Sequence, residues 1–579
     1  MNIFDILTLI GGLCLFLFGM SIMGDSLERR AGSGLKNILS KLTKNKTTGF
    51  LTGLAVTAII QSSSATTVMV VGFVNSGIIT LRQSISVIMG ANIGTTVTAW
   101  ILSLCGIESS NIFISLLKPT SFTPILALIG TIFFMFGKTS NKKDSGSILL
   151  GFATLMFGMD TMSNAVEGLA QVEAFQQMFI MFKNPILGVL VGAVLTAVIQ
   201  SSSASVGILQ ALSATGQVTF GAAVPIIMGQ NIGTCVTSLI SSVGANKNAK
   251  RAAVVHLSFN IIGTVVWLVV FSIISKVFSP VILDKPATYL GIAVVHTIFN
   301  VLCTLLLLPM TSLLEKLAIL LVGDSDKQQN YKELDDRLLV TPAIALRSCE
   351  ALVKQMAEVS VNAINNSLQM LVAYDKQTAQ SIRDDEAKAD HFEDILGTYL
   401  VKLSQLKVSD DDSREITKFL KVIGDFERIS DHAINILESA EELRQKEILF
   451  TEPAIKELEI TIEAVKEIVK LAYISFVNND MEAAYNVEPL EQVIDNLKNQ
   501  MRNGHITRLK NKLCTIEAGF VWADIITNLE RTSDHCSNIA VCIIDSKNHN
   551  MNVHESLYDI KQEKEFKQLY EKYSAKYSI

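Results

Sequence analysis

The 579-residue sequence is poor in charge, with Asp, Glu, Lys and Arg at 18%, and it holds only 10 prolines. Its eight cysteines, Cys14, Cys105, Cys235, Cys303, Cys349, Cys514, Cys536 and Cys542, include no Cys-x-x-Cys pair. That spacing excludes a zinc ribbon and a disulfide framework, and reduced thiols are expected. No nucleotide-binding glycine loop and no nucleophile, base and orienting acid can be assembled, so catalysis is not expected. The first apolar run, residues 6–23, lacks a basic leader and a small-residue cleavage pattern, and reads as a retained helix rather than a signal peptide.

What is present is apolar sequence, at 49% with a mean hydropathy of +0.38. The charge is divided. Residues 1–322 carry 18 Lys and Arg against 10 Asp and Glu, whereas the remainder carries 31 against 45. The front half is expected to lie in a membrane and the back half to be soluble and acidic.

Within the front half a unit occurs twice. Gln61-Ser62-Ser63-Ser64-Ala65 returns as Gln200-Ser201-Ser202-Ser203-Ala204, 139 residues later and without a gap. The same offset carries Asn92-Ile93-Gly94-Thr95 onto Asn231-Ile232-Gly233-Thr234, and residues 49–98 match 188–237 at 22 of 50 positions. A period this long excludes a solenoid and points to a two-repeat transporter. Apolar runs near 3–24, 84–105, 119–137, 147–165, 219–242, 252–275 and 288–310 are long enough to cross about 30 Å of hydrocarbon. Two further stretches, 49–76 and 186–215, are cut by the Gln-Ser-Ser-Ser runs and are expected to be re-entrant or broken helices.

The basic residues set the orientation, because loops rich in Lys and Arg stay in the cytoplasm. Arg29, Arg30, Lys36, Lys41, Lys44 and Lys46 follow the first span, but the equivalent second loop has only Lys183 beside Glu167 and Glu173. Lys138, Lys142 and Lys143 are expected inside and Glu108 outside, with Lys247, Lys250 and Arg251 inside at the position matching Glu108. The repeats are therefore expected to be inverted, with the N-terminus outside and the C-terminal domain cytoplasmic. The expected domains are repeat 1 at 1–138, repeat 2 at 139–277, a final span at 278–322 and a soluble domain at 323–579.

A helix broken at membrane depth must be buried in protein or line a wet cavity, because an unpaired backbone group in hydrocarbon costs several kcal/mol. Half-helix N-termini there offer N–H groups and positive dipole ends to an anion, while hydroxyl, amide and carbonyl oxygens can replace water around sodium. Neither run contains Arg or Lys, so cation and anion binding should depend on each other. The alternative, small residues that merely let helices pack, loses weight because the polar run is duplicated. His256-Leu-Ser-Phe-Asn260 and His296-Thr-Ile-Phe-Asn300 form a second echo, 40 residues apart, read as interhelical hydrogen bonding. Arg82, whose repeat partner is Gly221, is expected at a membrane face, and Asp160 is a weaker candidate cation ligand.

The paired Gln-Ser-Ser-Ser runs with their Asn-Ile-Gly-Thr segments resemble the type II sodium-phosphate cotransporter family, over about residues 1–320. The large extracellular loop of animal members has no counterpart between the repeats, so the sequence resembles the bacterial branch. The resemblance implies that Gln61, Ser62, Ser63, Ser64, Gln200, Ser201, Ser202 and Ser203 line a shared phosphate and sodium site. Thr66, Asn92, Thr95, Asn231 and Thr234 join them as expected ligands.

From Asp324 the sequence changes to charged helices with apolar residues at three and four spacing. Asp324-Ser325-Asp326-Lys327-Gln328-Gln329-Asn330 marks a boundary near 325–338. Glu427-Arg-Ile-Ser-Asp431-His432 recurs as Glu530-Arg-Thr-Ser-Asp534-His535, and Glu386 and Asp390 match Glu491 and Asp495. Carboxylates four apart share a helix face, and a cation relieves their repulsion. The four pairs resemble the PhoU family, which implies two three-helix bundles and a multinuclear metal site, with hard ions preferred and their identity open. The alternative is a solvated face whose acids pair with Arg428, Arg531 or Lys388. His432 and His535 could add ligands or cap bundle contacts.

The sequence is thus expected to encode an all-α polytopic membrane protein with two inverted repeats, followed by a soluble PhoU-like domain. Its expected function is sodium-coupled symport of inorganic phosphate in the cell membrane. The alternatives are phosphate export, carriage of another oxyanion, or a tethered phosphate sensor. Expected partners are phosphate, co-transported sodium and the lipid bilayer. A homodimer is left open and nucleic acid is not expected.

Overall fold

The computed structural model describes residues 3–39, 45–107, 118–167, 181, 184–323, 334–548 and 564–579. Helices account for nearly all of them, and the described residues hold no strand beyond one isolated bridge between Thr219 and Pro286. The chain divides into two compact units, Met1–Ala345 and Leu346–Ile579.

In the first unit, repeat 1 supplies α1 (Ile3–Leu39), α2 (Lys46–Ile60), α3 (Ser63–Asn75), α4 (Leu81–Gly94), α5 (Thr96–Ser103) and α6 (Pro119–Phe136). Repeat 2 supplies α7 (Ser140–Glu167), α8 (Pro185–Ile199), α9 (Ser202–Ser213), α10 (Phe220–Gly233), α11 (Cys235–Ser241) and α12 (Lys247–Val277). Then follow α13 (Tyr289–Leu307) and α14 (Thr311–Val322). Six helical stretches, Phe4–Ala31, Leu81–Gly106, Pro119–Phe136, Phe220–Ser241, Lys247–Val277 and Tyr289–Leu307, are long and apolar enough to cross a membrane. The seventh expected crossing, over 147–165, falls on α7, which packs along α1 with its apolar and glycine residues inward.

The inversion is visible where α1 meets α7. A side chain on Gly19 would strike the Gly151 carbonyl, and one on Gly158 would strike the Gly12 carbonyl. Gly12 and Gly151 are repeat partners, as are Gly19 and Gly158. Each partner therefore touches the other one's equivalent, which is the signature of a self-complementary two-fold contact. The order of contacts along the two helices is reversed, so α1 and α7 are antiparallel and the axis lies across them.

The same axis explains the 40-residue histidine echo. α12 packs on α3, α4, α10 and α11, and α13 packs on α9, α10, α4 and α5. Exchanging the repeats turns one set of neighbours into the other. By sequence the partner of α12 is α6, but α6 packs on α7, and α13 takes the symmetric place instead. His256 is fully buried and bridges Ser238 (3.1 Å) and Asn92 (3.3 Å), as the hydrogen-bonding reading expected. The counterpart of Ser238 is Ala99, and both ring nitrogens of the buried His296 are without a partner among the described residues. Arg82 is exposed.

The first unit extends beyond the expected boundary because Leu334, Asp335 and Leu338 are buried, with Leu338 packed over Gly72. Residues 324–333 lie outside the described set, as do Lys41, Lys44, Glu108, Glu173 and Lys183. The second unit comprises α15 (Pro342–Met370, most of which it contains), α16 (Lys376–Ser404), α17 (Asp410–Gln445), α18 (Glu452–Asn478), α19 (Met481–Lys510), α20 (Ile516–Asn548) and α21 (Lys564–Lys576). Its helices are amphipathic: in α15, Cys349, Val353, Met356, Ile364 and Leu368 form a buried stripe at helical spacing. α18, α19 and α20 pack on one another as a three-helix bundle, α16 packs on α17, and α17 packs on α20.

Candidate functional site

Each Gln-Ser-Ser-Ser run is a break between two helices, and the two breaks are built alike. α2 ends at Ile60 and α8 at Ile199, and the glutamine that follows adopts the left-handed conformation, φ 60° at Gln61 and 59° at Gln200. A non-glycine residue there is uncommon and costs free energy, so the turn is held by its surroundings. Ser62 and Ser201 then cap the next helices, their hydroxyls accepting from the amides of Ala65 and Ala204 at 3.2 Å. α3 and α9 consequently begin inside the protein, with first-turn N–H groups that have no intrahelical partner.

The two breaks meet. Ser64 Oγ donates to the Gln200 carbonyl at 3.3 Å. Across the repeats, Ser203 Oγ donates to Thr98 Oγ1 (3.3 Å), which in turn donates to Gln61 Oε1 (2.9 Å). Between them lies a cavity of about 300 Å³. All eight residues of the paired runs line it, together with Met20, Ser21, Gly24, Asp25 and Glu28 of α1 and with Val340. Asp25 and Val340 are exposed, so the cavity reaches solvent.

Two helix N-termini with free amides, a set of hydroxyls and a glutamine carbonyl therefore face one small space, with two carboxylates on its wall. Amides and dipole ends favour an anion, and carboxylate, hydroxyl and carbonyl oxygens favour a hard cation. A volume at the low end of ligand pockets suits a small ion pair.

Thr66, Asn92, Thr95, Asn231 and Thr234 are buried but do not line the cavity. Thr66 Oγ1 accepts from Thr57 and bonds the Ser62 carbonyl; Thr95, Asn231 and Thr234 bond carbonyls one turn back on their own helices. Asn92 serves His256. The glycines of these segments let helices touch: a Cβ on Gly90 would lie 2.0 Å from the Phe50 carbonyl, and one on Gly229 2.0 Å from that of Val189. Sequence reasoning missed Asp25, Glu28, Thr98 and Val340. Only the helical spacing of Asp25 and Glu28 with Ser21 could have suggested a shared face.

A second cavity, of about 380 Å³, is lined by Lys118, Asp160, Asn164, Glu167 and Tyr289. Asp160, Asn164 and Glu167 are the repeat partners of Ser21, Asp25 and Glu28. Because α1 and α7 are antiparallel, the two cavities lie towards opposite ends of the bundle.

In the soluble unit the acidic pairs form two sets. Glu386 is pushed above the usual carboxylate range by burial and by Asp431 and Asp390, and Glu427 by burial and Asp431. Asp534 is raised by burial and Glu530, while Lys498 ties Glu530 at 2.8 Å. Among the described residues no three His, Cys, Asp or Glu side chains converge as a chelate. At the centre, His432 Nδ1 meets Asn528 Oδ1 and His535 Nδ1 meets Asp425 Oδ1, both at 2.9 Å, with the rings 5.5 Å apart. Burial and the neighbouring His535 hold His432 below the usual histidine range.

Comparison with known proteins finds family matches in both halves of the chain. The Na+/Pi-cotransporter family model matches residues 15–164 and again 154–303, and the PhoU domain model matches 353–440 and 458–543. A protein of Escherichia coli K12 named "Putative inorganic phosphate export protein YjbB" is 23% identical over 93% of this chain and 97% of its own. "Uncharacterized protein YqeW" of Bacillus subtilis is 30% identical over 43% of this chain and 76% of its own. Human sodium-dependent phosphate transport protein 2B shares 37% identity over 21% of this chain and 19% of its own. Among solved structures, PhoU from Streptococcus pneumoniae is 18% identical, with a TM-score of 0.33, over 36% of this chain and 99% of its own.

Proposed function

We propose that this chain, which belongs to the Na+/Pi-cotransporter family and carries a C-terminal PhoU-like domain, couples the movement of inorganic phosphate to sodium through the cavity between its two breaks. The observation that carries the reading is the meeting of two helix N-termini, one from each repeat, in a space that also holds Asp25 and Glu28. Phosphate takes the amides and serine hydroxyls, and sodium takes oxygen ligands beside it. With no Arg or Lys among the described residues of the wall, the cation supplies the positive charge that holds a divalent anion.

Charge sets the coupling. Importing divalent phosphate against 100 mV, inside negative, costs about 4.6 kcal/mol. Two sodium ions cancel that charge and a third makes uptake electrogenic. Export of the free anion is instead helped by the same potential, and the name of the E. coli relative, alike over nearly its whole length, favours keeping that direction as the second reading. The PhoU-like domain is assigned to the cytoplasm as a regulator.

The test is labelled phosphate flux in proteoliposomes under sodium, potassium or proton gradients, imposed in either direction. Wild-type flux is expected to follow sodium. Ser63→Ala and Ser202→Ala are each expected to lower it at least tenfold while the protein remains folded. Sodium-dependent flux at the wild-type rate in both variants would remove the site assignment.

A further inference from the structure

An inverted repeat presents equivalent ends to the two sides of the membrane, and at one of them the repeats are tied by a segment that follows both. The segment Leu334–Thr341 lies across the ends of α3 and α11, which belong to different repeats. Asn75, the last residue of α3, donates from Nδ2 to Asp335 Oδ2 at 2.6 Å. Asp335 holds Arg337, with Nη1 to Oδ2 at 2.9 Å. Arg337 reaches the opposite repeat, donating from Nε to the Ser241 carbonyl and from Nη2 to that of Val243 at 3.0 Å. Asn246, at the start of α12, completes the ring through its amide to Asn75 Oδ1 (2.8 Å) and its Nδ2 to the Asn75 carbonyl (2.9 Å).

The repeat partners of Asn75, Ser241, Val243 and Asn246 are Ala214, Leu102, Leu104 and Ile107. Ala214 and Ile107 lack the carboxamides that Asn75 and Asn246 contribute, so this side-chain pattern is not repeated at the equivalent positions of the other end. Two residues beyond Arg337, Leu338 and Val340 bracket the site: Leu338 sits over Gly72 of α3, and Val340 is part of the cavity wall. Thr341 leads directly into α15, in whose second turn the soluble unit begins.

We propose that Asp335 and Arg337 form a latch that ties the two repeats together at the end where the cavity opens, and that the PhoU-like domain regulates transport by drawing on or releasing this latch. The proposal rests on the transport reading above. Exchange of access between two cavities requires the repeats to move against each other. Bonds that join α3 to α11 hold the conformation in which they form, and so slow that exchange. A charge-assisted pair with Asp335 buried and carbonyl acceptors in the opposite repeat is a directional tie, lost as a unit when the ends part.

The experiment uses the full chain in proteoliposomes, comparing wild type with Arg337→Ala, Asp335→Asn and Arg337→Lys. Maximal phosphate flux is expected to rise three- to tenfold in the first two, with KM within twofold, since neither side chain lines the cavity. Arg337→Lys, whose ammonium keeps the charge but lacks the planar fork that spans Asp335 and the two carbonyls, is expected to fall between. Hydrogen exchange at residues 76–79 and 242–245 is expected to quicken at least tenfold in Arg337→Ala. A merely structural role would instead lower Vmax through loss of folded protein, with KM unchanged or raised. Wild-type flux with Vmax unchanged or lowered in both variants overturns the latch alone, and absence of phosphate flux in the wild type overturns it together with the transport reading.

Discussion

Thr98 offers the sharpest test of how the cavity is held in shape. Its hydroxyl links Gln61 of the first break to Ser203 of the second, donating to Oε1 at 2.9 Å and accepting at 3.3 Å. Thr98→Val keeps the shape and removes the oxygen. The amide oxygen of Gln61 and the hydroxyl of Ser203 then lose a buried partner, and an unsatisfied buried group costs about 1–3 kcal/mol. Both border a wet cavity, so water recovers part of the loss, leaving about 1–2 kcal/mol of misplaced site. At about 1.4 kcal/mol per tenfold, the phosphate KM should rise roughly five- to thirtyfold. Thr98→Ser, which retains the hydroxyl, should stay within about threefold of wild type. The assay is sodium-driven phosphate flux over a range of phosphate concentrations, with thermal unfolding in detergent to confirm that both variants are folded. A KM for Thr98→Val equal to that of Thr98→Ser would refute the idea that this hydroxyl positions the two runs.

Two further outcomes follow from the packing and from the soluble unit. Gly90→Ala places a Cβ 2.0 Å from the Phe50 carbonyl, a backbone atom that cannot step aside, and the helices must separate; overpacking of this kind costs about 1–3 kcal/mol, read as a lower unfolding midpoint and reduced expression. His432 sits below its usual pKa in the folded state, so its contribution to stability is present above about pH 6.5 and is lost as pH falls below that value towards the folded pKa. Glu386, Glu427 and Asp534, raised in the fold, act in the opposite sense. The difference between wild type and His432→Gln is therefore the quantity to follow: the stability gap should favour wild type at pH 7.5 and narrow by pH 5.5, and a constant gap would contradict the burial argument.

The breaks were legible because the sequence states them twice. A Gln followed by three serines within apolar sequence predicts a helix end, and its recurrence at 139 residues predicts the partner it meets. The left-handed glutamines and the serine caps then follow from local chemistry. What could not be read was the rest of the wall. Asp25 and Glu28 reach the cavity from α1, and Thr98 of α5 stands behind it on Gln61 and Ser203, because of how helices cross, and crossing geometry leaves no local trace. The Asn-Ile-Gly-Thr segments misled in the opposite direction. Their asparagines and threonines carry the residue types of a ligand set, yet they bond their own helices or His256, and their glycines let α2 meet α4 and α8 meet α10. Composition alone does not separate an oxygen that faces an ion from one that faces a carbonyl. In the soluble unit one acid of the four pairs, Glu530, is tied to Lys498, a partner that no local spacing announces.

The antiparallel crossing of α1 and α7 has a thermodynamic consequence. A frame made of two copies related by a half-turn possesses, for every arrangement of its backbone, a companion arrangement of nearly equal energy in which the copies have traded roles. Nature need not invent the second resting state of such a machine; it inherits it from the duplication. What selection can adjust is the tilt of the balance, one substitution at a time, wherever the copies have drifted apart: Ser21 against Asp160, Asp25 against Asn164, Ala91 against Gln230. Each mismatch is a small weight placed on one pan.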